Sequence, residues 1–158
     1  MNTSQPSIDV VGASATDSQW LINQVTRMLP LLAPVPGGNA SFSRISIRVV
    51  HDGEMARMHE EHSHVAGTTD VLTFVSHDDR GSLEVDLALC TDEAQRCSEE
   101  FGHGINEELA LYAVHGLLHA VGLTDHDEPS ARLMHDHEDR ILSAIGVVAL
   151  SANRKESS

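Results

Sequence analysis

The stretch from Asn106 to Val121, NEELALYAVHGLLHAV, constrains this 158-residue chain more than any other. Leu109, Tyr112, Ala113, Leu117 and Ala120 fall on one stripe of a helix, and Leu111, Val114, Leu118 and Val121 on a second. A helix that is apolar on most sides must be buried on most sides, so the rest of the chain has to wrap around it. Asn106 is the expected N-cap, with Glu107 and Glu108 complementing the positive end of the helix. Gly122 permits the left-handed conformation that ends it.

His115 and His119 interrupt this apolar surface at positions i and i+4. That spacing puts both rings on one face, about a turn apart, where they can reach a single metal ion. A lone histidine in a buried helix is usually a hydrogen-bonded core residue. Here the pair is followed by Gly122 and then by His126, which the turn through Leu123, Thr124 and Asp125 can bring back as a third ligand. Three neutral imidazoles leave a divalent ion its full charge and one open position, where water has its pKa lowered to about 7. An all-nitrogen set favours Zn2+, one ion per chain, while Ni2+ or copper could occupy the same ligands. In the metallopeptidase pattern HExxH the residue after the first ligand is the general base. That position is Gly116, which cannot move a proton, so an ordinary protease is disfavoured.

The remaining segments supply the wrapping. Ile8–Val11 is β-like, and Asp17 or Ser18 can cap a helix running to about Leu32. Pro30, Pro34, Pro36, Gly37 and Gly38 enforce a turn. Ser41–Val50 alternates as a half-buried strand, Gly53 to about His62 reads as a short helix, and Asp70–Val75 and Ser82–Cys90 read as strands. A helix begins at Thr91 or Asp92 and ends near Gly102, and Glu128–Ile145 is the last. This order predicts an α/β (α+β) fold: a small mixed sheet with surrounding helices, and a metal site on the central buried helix and the following turn. Residues 1–150 are expected to form one domain, with 151–158 a frayed polar tail. Aromatic residues are only 3% of the chain, so the core must be built mainly from Leu, Val, Ile and Ala.

No apolar run is long enough to span a bilayer, and the N-terminus lacks the pattern of a secretory signal, so a cytoplasmic location with no membrane contact is expected. Cys90 and Cys97 fit neither a disulfide framework nor a CxxC site and are expected as reduced, partly buried thiols. The formal charge of −14 argues against a general nucleic-acid binder, which shows a basic face. It leaves room for a small anion site at which a metal supplies the positive charge.

The segment HGLLHAVGLTDH (His115–His126) resembles the HGxLHxxGxDH motif of the YbeY family, bacterial endoribonucleases implicated in ribosomal RNA maturation, with one extra residue before the last histidine. TTDVLTF (Thr68–Phe74) is similar to the family's PTDVLSF strand, and EVDLALC (Glu84–Cys90) to its GDIVIC strand. Met134, Glu138, Ile141 and Leu142 match the spacing of its last helix. The resemblance covers about Ile45 to Leu142 and implies a metal at the floor of a cleft, a single-stranded RNA substrate and ribosomal partners. The family also places an arginine shortly before the TDVL strand, where ungapped alignment puts Ser63. Arg57, His62 and His64 are the nearby candidates for binding phosphate in its place. Asp70, Asp86, Asp125 and Asp127 could each orient a ligand histidine or shuttle protons, or be surface acids and turn caps. No catalytic base is assigned. Three readings follow: a metal-dependent endoribonuclease acting in rRNA processing and ribosome quality control, a ribosome-assembly factor with a mainly structural metal, or a metallohydrolase on another substrate.

Overall fold

The structure, a computed structural model, describes residues 5–148. The expected tail, 151–158, lies outside them. The order of elements is β1 (Ser7–Val11), α1 (Ala15–Met28), β2 (Phe42–Val50), α2 (Asp52–Ser63), β3 (Val71–His77), β4 (Leu83–Cys90), α3 (Thr91–Phe101), α4 (Ile105–Ala120) and α5 (Glu128–Ala144). The sheet runs β1-β2-β4-β3. The first three strands in that order are parallel and β3 is antiparallel to β4 at the edge, so the sheet is mixed.

Alternation along the strands divides the apolar residues between two faces. Ile45, Ile47 and Val49 of β2 and Val85, Leu87 and Leu89 of β4 enter the main core, where α1, α4 and α5 pack. On the other face α2 covers a smaller cluster of Val50, Met55, Leu72, Ala88 and Cys90. The charged residues of β2 stand on that second face: Arg44 donates to Glu84 at 3.1 Å and to Asp86 at 2.9 Å on β4.

The central helix is buried as its composition requires. Tyr112, Ala113, Val114, Leu117 and Leu118 are at most 1% exposed, and each such leucine contributes roughly 1.5–3 kcal/mol relative to exposure. The helix starts earlier than expected, however. Gly104 is the N-cap, and the Glu107 carboxylate accepts the Gly104 N–H at 3.0 Å. Asn106 is therefore inside the helix, and its side-chain amide donates to Asp17 of α1 at 2.9 Å. Glu108 is not a solvated first-turn acid but is fully buried, paired with the side chain of His103. Helix α1 is likewise capped by Ser14 rather than by Asp17 or Ser18, the Ser14 hydroxyl accepting the Asp17 N–H at 3.1 Å. It ends at Met28, where Pro30 turns the chain into a short 3-10 segment, Leu29–Leu32.

Both cysteines are buried free thiols. Cys90 donates to Asp52 and Cys97 accepts from Tyr112. No helix among the described residues is long and apolar enough to cross a membrane.

Candidate metal centre

Helix α4 carries His115 and His119 side by side on the face turned toward β3, an edge strand of the sheet. Their ring centroids are 4.5 Å apart and the rings are nearly perpendicular. The helix can lie this close to the sheet because Gly116 has no side chain. A Cβ there would sit 2.6 Å from Leu87 Cδ2 and 3.1 Å from Thr73 Oγ1. The two rings open onto a cleft of ≈ 450 Å³ lined also by Thr69, Asp70, Thr73, Val75 and Asp125.

Each histidine is held by its Nδ1. That of His115 donates to the Glu138 carboxylate, and that of His119 donates to the Leu123 carbonyl at 2.9 Å. A carbonyl and an ionised carboxylate can only accept, so the proton of each neutral ring is on Nδ1 and the lone pair on Nε2. Those two Nε2 atoms face each other at 3.0 Å. The Asp125 carboxylate approaches both, Oδ2 at 3.6 Å from His115 and Oδ1 at 3.6 Å from His119. Two ring nitrogens and a carboxylate turned toward one point are stabilised by positive charge between them, whether a proton shared by the two Nε2 atoms or a cation. One donor atom from each of His115, His119 and Asp125 lies within 4.8 Å of the others, so the three fit around one divalent cation.

The turn after α4 sets this geometry. Gly122 has φ +113°, and the Leu123 N–H closes back on the Leu118 carbonyl at 3.0 Å. That reversal carries Asp125 to the histidines. His126 is exposed and stands outside the group of donors. Asp125 is six residues beyond His119, the distance at which the motif HGxLHxxGxDH has its third histidine, so the extra residue in this turn puts a carboxylate at that place.

Glu138, on α5, is 1% exposed. Its second oxygen accepts from His135 Nδ1 at 3.0 Å. Burial pushes the Glu138 carboxyl up, but the hydrogen bonds from His115 and His135 outweigh it and hold it below the usual carboxylate range. Burial opposes protonation of His115, and the same bond from Glu138 overrides it and raises the histidine. In the sequence Glu138 shows only as part of the spacing of a helix. Its pairing with a residue 23 positions away depends on how α5 crosses α4.

Of the other candidates, only Asp70 lies at the cleft. Asp127 is the N-cap of α5, its carboxylate accepting the Ser130 N–H at 2.8 Å. Asp86 pairs with Arg44 on the far face of the sheet. Asp70 does line the cleft, and its Oδ1 accepts the Val71 N–H. Arg57, His62 and His64 are exposed, and none lines the cleft. The helix that carries Arg57 stops at Ser63, close to its expected end, and His64 is its left-handed C-cap. His62 instead meets the edge of Phe74 on the second face. Ser63 closes the end of α2, donating to the His59 carbonyl at 2.6 Å and accepting the Val65 N–H.

A mixed sheet packed on a buried helix whose two histidines and following turn converge on one point defines an α/β protein with a candidate metal centre. The sequence profile of the family described as "Endoribonuclease YbeY" matches residues 11–146, and the chain belongs to that family. It is 32% identical over 130 residues to the endoribonuclease YbeY of Carboxydothermus hydrogenoformans, covering 82% of this chain and 89% of that one. Against the endoribonuclease YbeY of a Nocardioides species the figures are 37% over 112 residues, 65% and 74%. The solution structure of TM1509 from Thermotoga maritima shares the fold, with a TM-score of 0.55 over 96% of each chain at 18% identity.

Proposed function

We propose that this protein is a metal-dependent endoribonuclease specific for single strands, acting in rRNA maturation and ribosome quality control in the cytoplasm. Membership of the endoribonuclease YbeY family supports RNA as the substrate class. The observation that carries the metal is the convergence of two histidine lone pairs and a carboxylate, with both Nδ1 protons already committed. His115 and His119 are two ligands, and Asp125 rather than His126 is the third. Zn2+ suits this set, and one carboxylate leaves a divalent ion a single net positive charge toward an anionic substrate. Bound there, the ion supplies Lewis acidity toward a phosphodiester and acidifies water.

The chain's own residues do the rest. Glu138 and the Leu123 carbonyl hold the imidazoles in the ligating tautomer. Thr69, Asp70 and Thr73 line the polar wall of the open cleft beside β3.

The test is cleavage of labelled single-stranded RNA, with duplex RNA as control, before and after chelation and after Zn2+ is restored. Cleavage lost on chelation, recovered with Zn2+ and absent in His115→Ala is the expected result. Chelator-resistant cleavage that survives in His115→Ala contradicts it.

One observation favours a second reading, an assembly factor whose metal is mainly structural. Among the described residues no arginine or lysine lines the cleft, and Ser63, which ungapped alignment puts at the family's arginine position, is engaged in closing α2. An arginine can hold a phosphate through two hydrogen bonds and a serine cannot supply that charge. Metal-replete wild type that leaves RNA intact, with cleavage gained in Ser63→Arg, supports this reading.

A further inference from the structure

Glu138 is a carboxylate at 1% exposure, and its environment is built around it. Burying an ionised carboxylate is costly unless its oxygens are satisfied. Here one oxygen accepts from His115 and the other from His135. His135 and Glu138 lie one turn apart on α5, and the side chain of His135 is 24% exposed while that of Glu138 is 2%. The carboxylate is therefore pinned from its own helix on one side and reaches across to α4 on the other. Of the polar groups buried among the described residues, this one makes direct contact with a histidine of the candidate centre.

We infer that Glu138 is the positioning residue of the centre, and that His135 is the outer arm that fixes Glu138. The inference rests on the reading of His115 and His119 as metal ligands. Its physical content is a chain of three contacts, His135 to Glu138 to His115, ending at the Nε2 lone pair. Glu138 decides which His115 nitrogen carries the proton, and so whether Nε2 is free to ligate. It also prevents rotation of the ring about its Cβ–Cγ bond, which would exchange the positions of its nitrogen and carbon atoms. A carboxylate hydrogen-bonded to a ligating imidazole raises the basicity of that ligand, and loss of such a partner typically weakens metal binding about 10–100-fold. His135 acts one contact further out, so its removal should cost less, below about 10-fold on the same scale.

A purely structural ion pair predicts something different: lost stability with metal affinity and tautomer unchanged. Two measurements separate these. The first is Zn2+ affinity by competition with a chromophoric chelator for wild type, Glu138→Gln and His135→Ala. Glu138→Gln keeps the volume but removes the charge, and its amide can accept from only one of the two histidines. A loss of about 10–100-fold in Glu138→Gln and a smaller loss in His135→Ala are expected. The second is the nitrogen NMR signature of the His115 ring in metal-free wild type at alkaline pH, which distinguishes the two neutral tautomers. The expected result is Nδ1–H in wild type, and a mixture or Nε2–H in Glu138→Gln. Should Glu138→Gln fail to fold, the wild-type tautomer and the His135→Ala affinity still decide. Wild-type Zn2+ affinity in a folded Glu138→Gln, or an Nε2–H tautomer in wild type, overturns the inference while leaving the metal reading intact. Wild type that binds no Zn2+ fails the metal reading itself.

Discussion

Gly116 is the residue on which the site depends without taking part in its chemistry. It sits between the two histidines on the helix face that meets the sheet, and the space a Cβ would need is already held by Leu87, Thr73 and Val71. Alanine there gains about 1 kcal/mol of helix propensity over glycine. Against this, overpacking a dense core typically costs about 1–3 kcal/mol. The Leu87 methyl at 2.6 Å is buried and has little room to retreat, so the packing cost should win. Urea unfolding of the metal-free protein should show Gly116→Ala less stable by about 1 kcal/mol. A more stable variant would mean that the helix does not sit as close to β3 and β4 as described. The same crowding explains why the glutamate of a peptidase motif has no place in this helix.

At the scale of elements, the buried helix and its histidine pair were legible because their signals are local: apolar residues on every side, and an i, i+4 spacing. The strands were legible from alternation, with boundaries off by a residue or two. What escaped was decided by contacts between elements. Asn106 has the chemistry of a cap, yet Gly104 and Glu107 close the helix two residues earlier and Asn106 bonds to α1. The side chain of His103 is buried against Glu108, a pairing that brings the start of α4 against the loop before it. Glu138 could be seen as a helix position but not as the partner of His115. The turn after Gly122 was legible as a turn, whereas which of Asp125 and His126 it delivers depends on the Leu123–Leu118 bond that fixes its path.

Asp127, weighed from sequence both as an orienting acid and as a turn cap, is the N-cap of α5. Asp127→Ala should therefore cost about 1 kcal/mol of stability in thermal or urea melts and leave Zn2+ affinity within about 2-fold of wild type. Lost affinity with unchanged stability would place Asp127 in the metal centre after all.

For the molecule as a whole, the proposed cation is what would reconcile the acidic balance of −14 with an anionic substrate at the cleft. Asp70, Asp125 and Glu138 surround the two histidines, a field that repels phosphate unless a metal reverses it locally. Binding at such a centre also stabilises the folded state by mass action, by about 4 kcal/mol when free metal exceeds its dissociation constant 1,000-fold. The most direct measurement is the metal content and Zn2+ affinity of purified wild type, Asp125→Ala, His126→Ala and the His115→Ala, His119→Ala double variant. One ion per chain is predicted in wild type and none in the double variant. Asp125→Ala should lose more than the roughly 10–100-fold typical of an outer partner, while His126→Ala stays near wild type. Full metal content in the double variant would contradict the centre itself, and a collapse in His126→Ala with Asp125→Ala unaffected would contradict its third ligand.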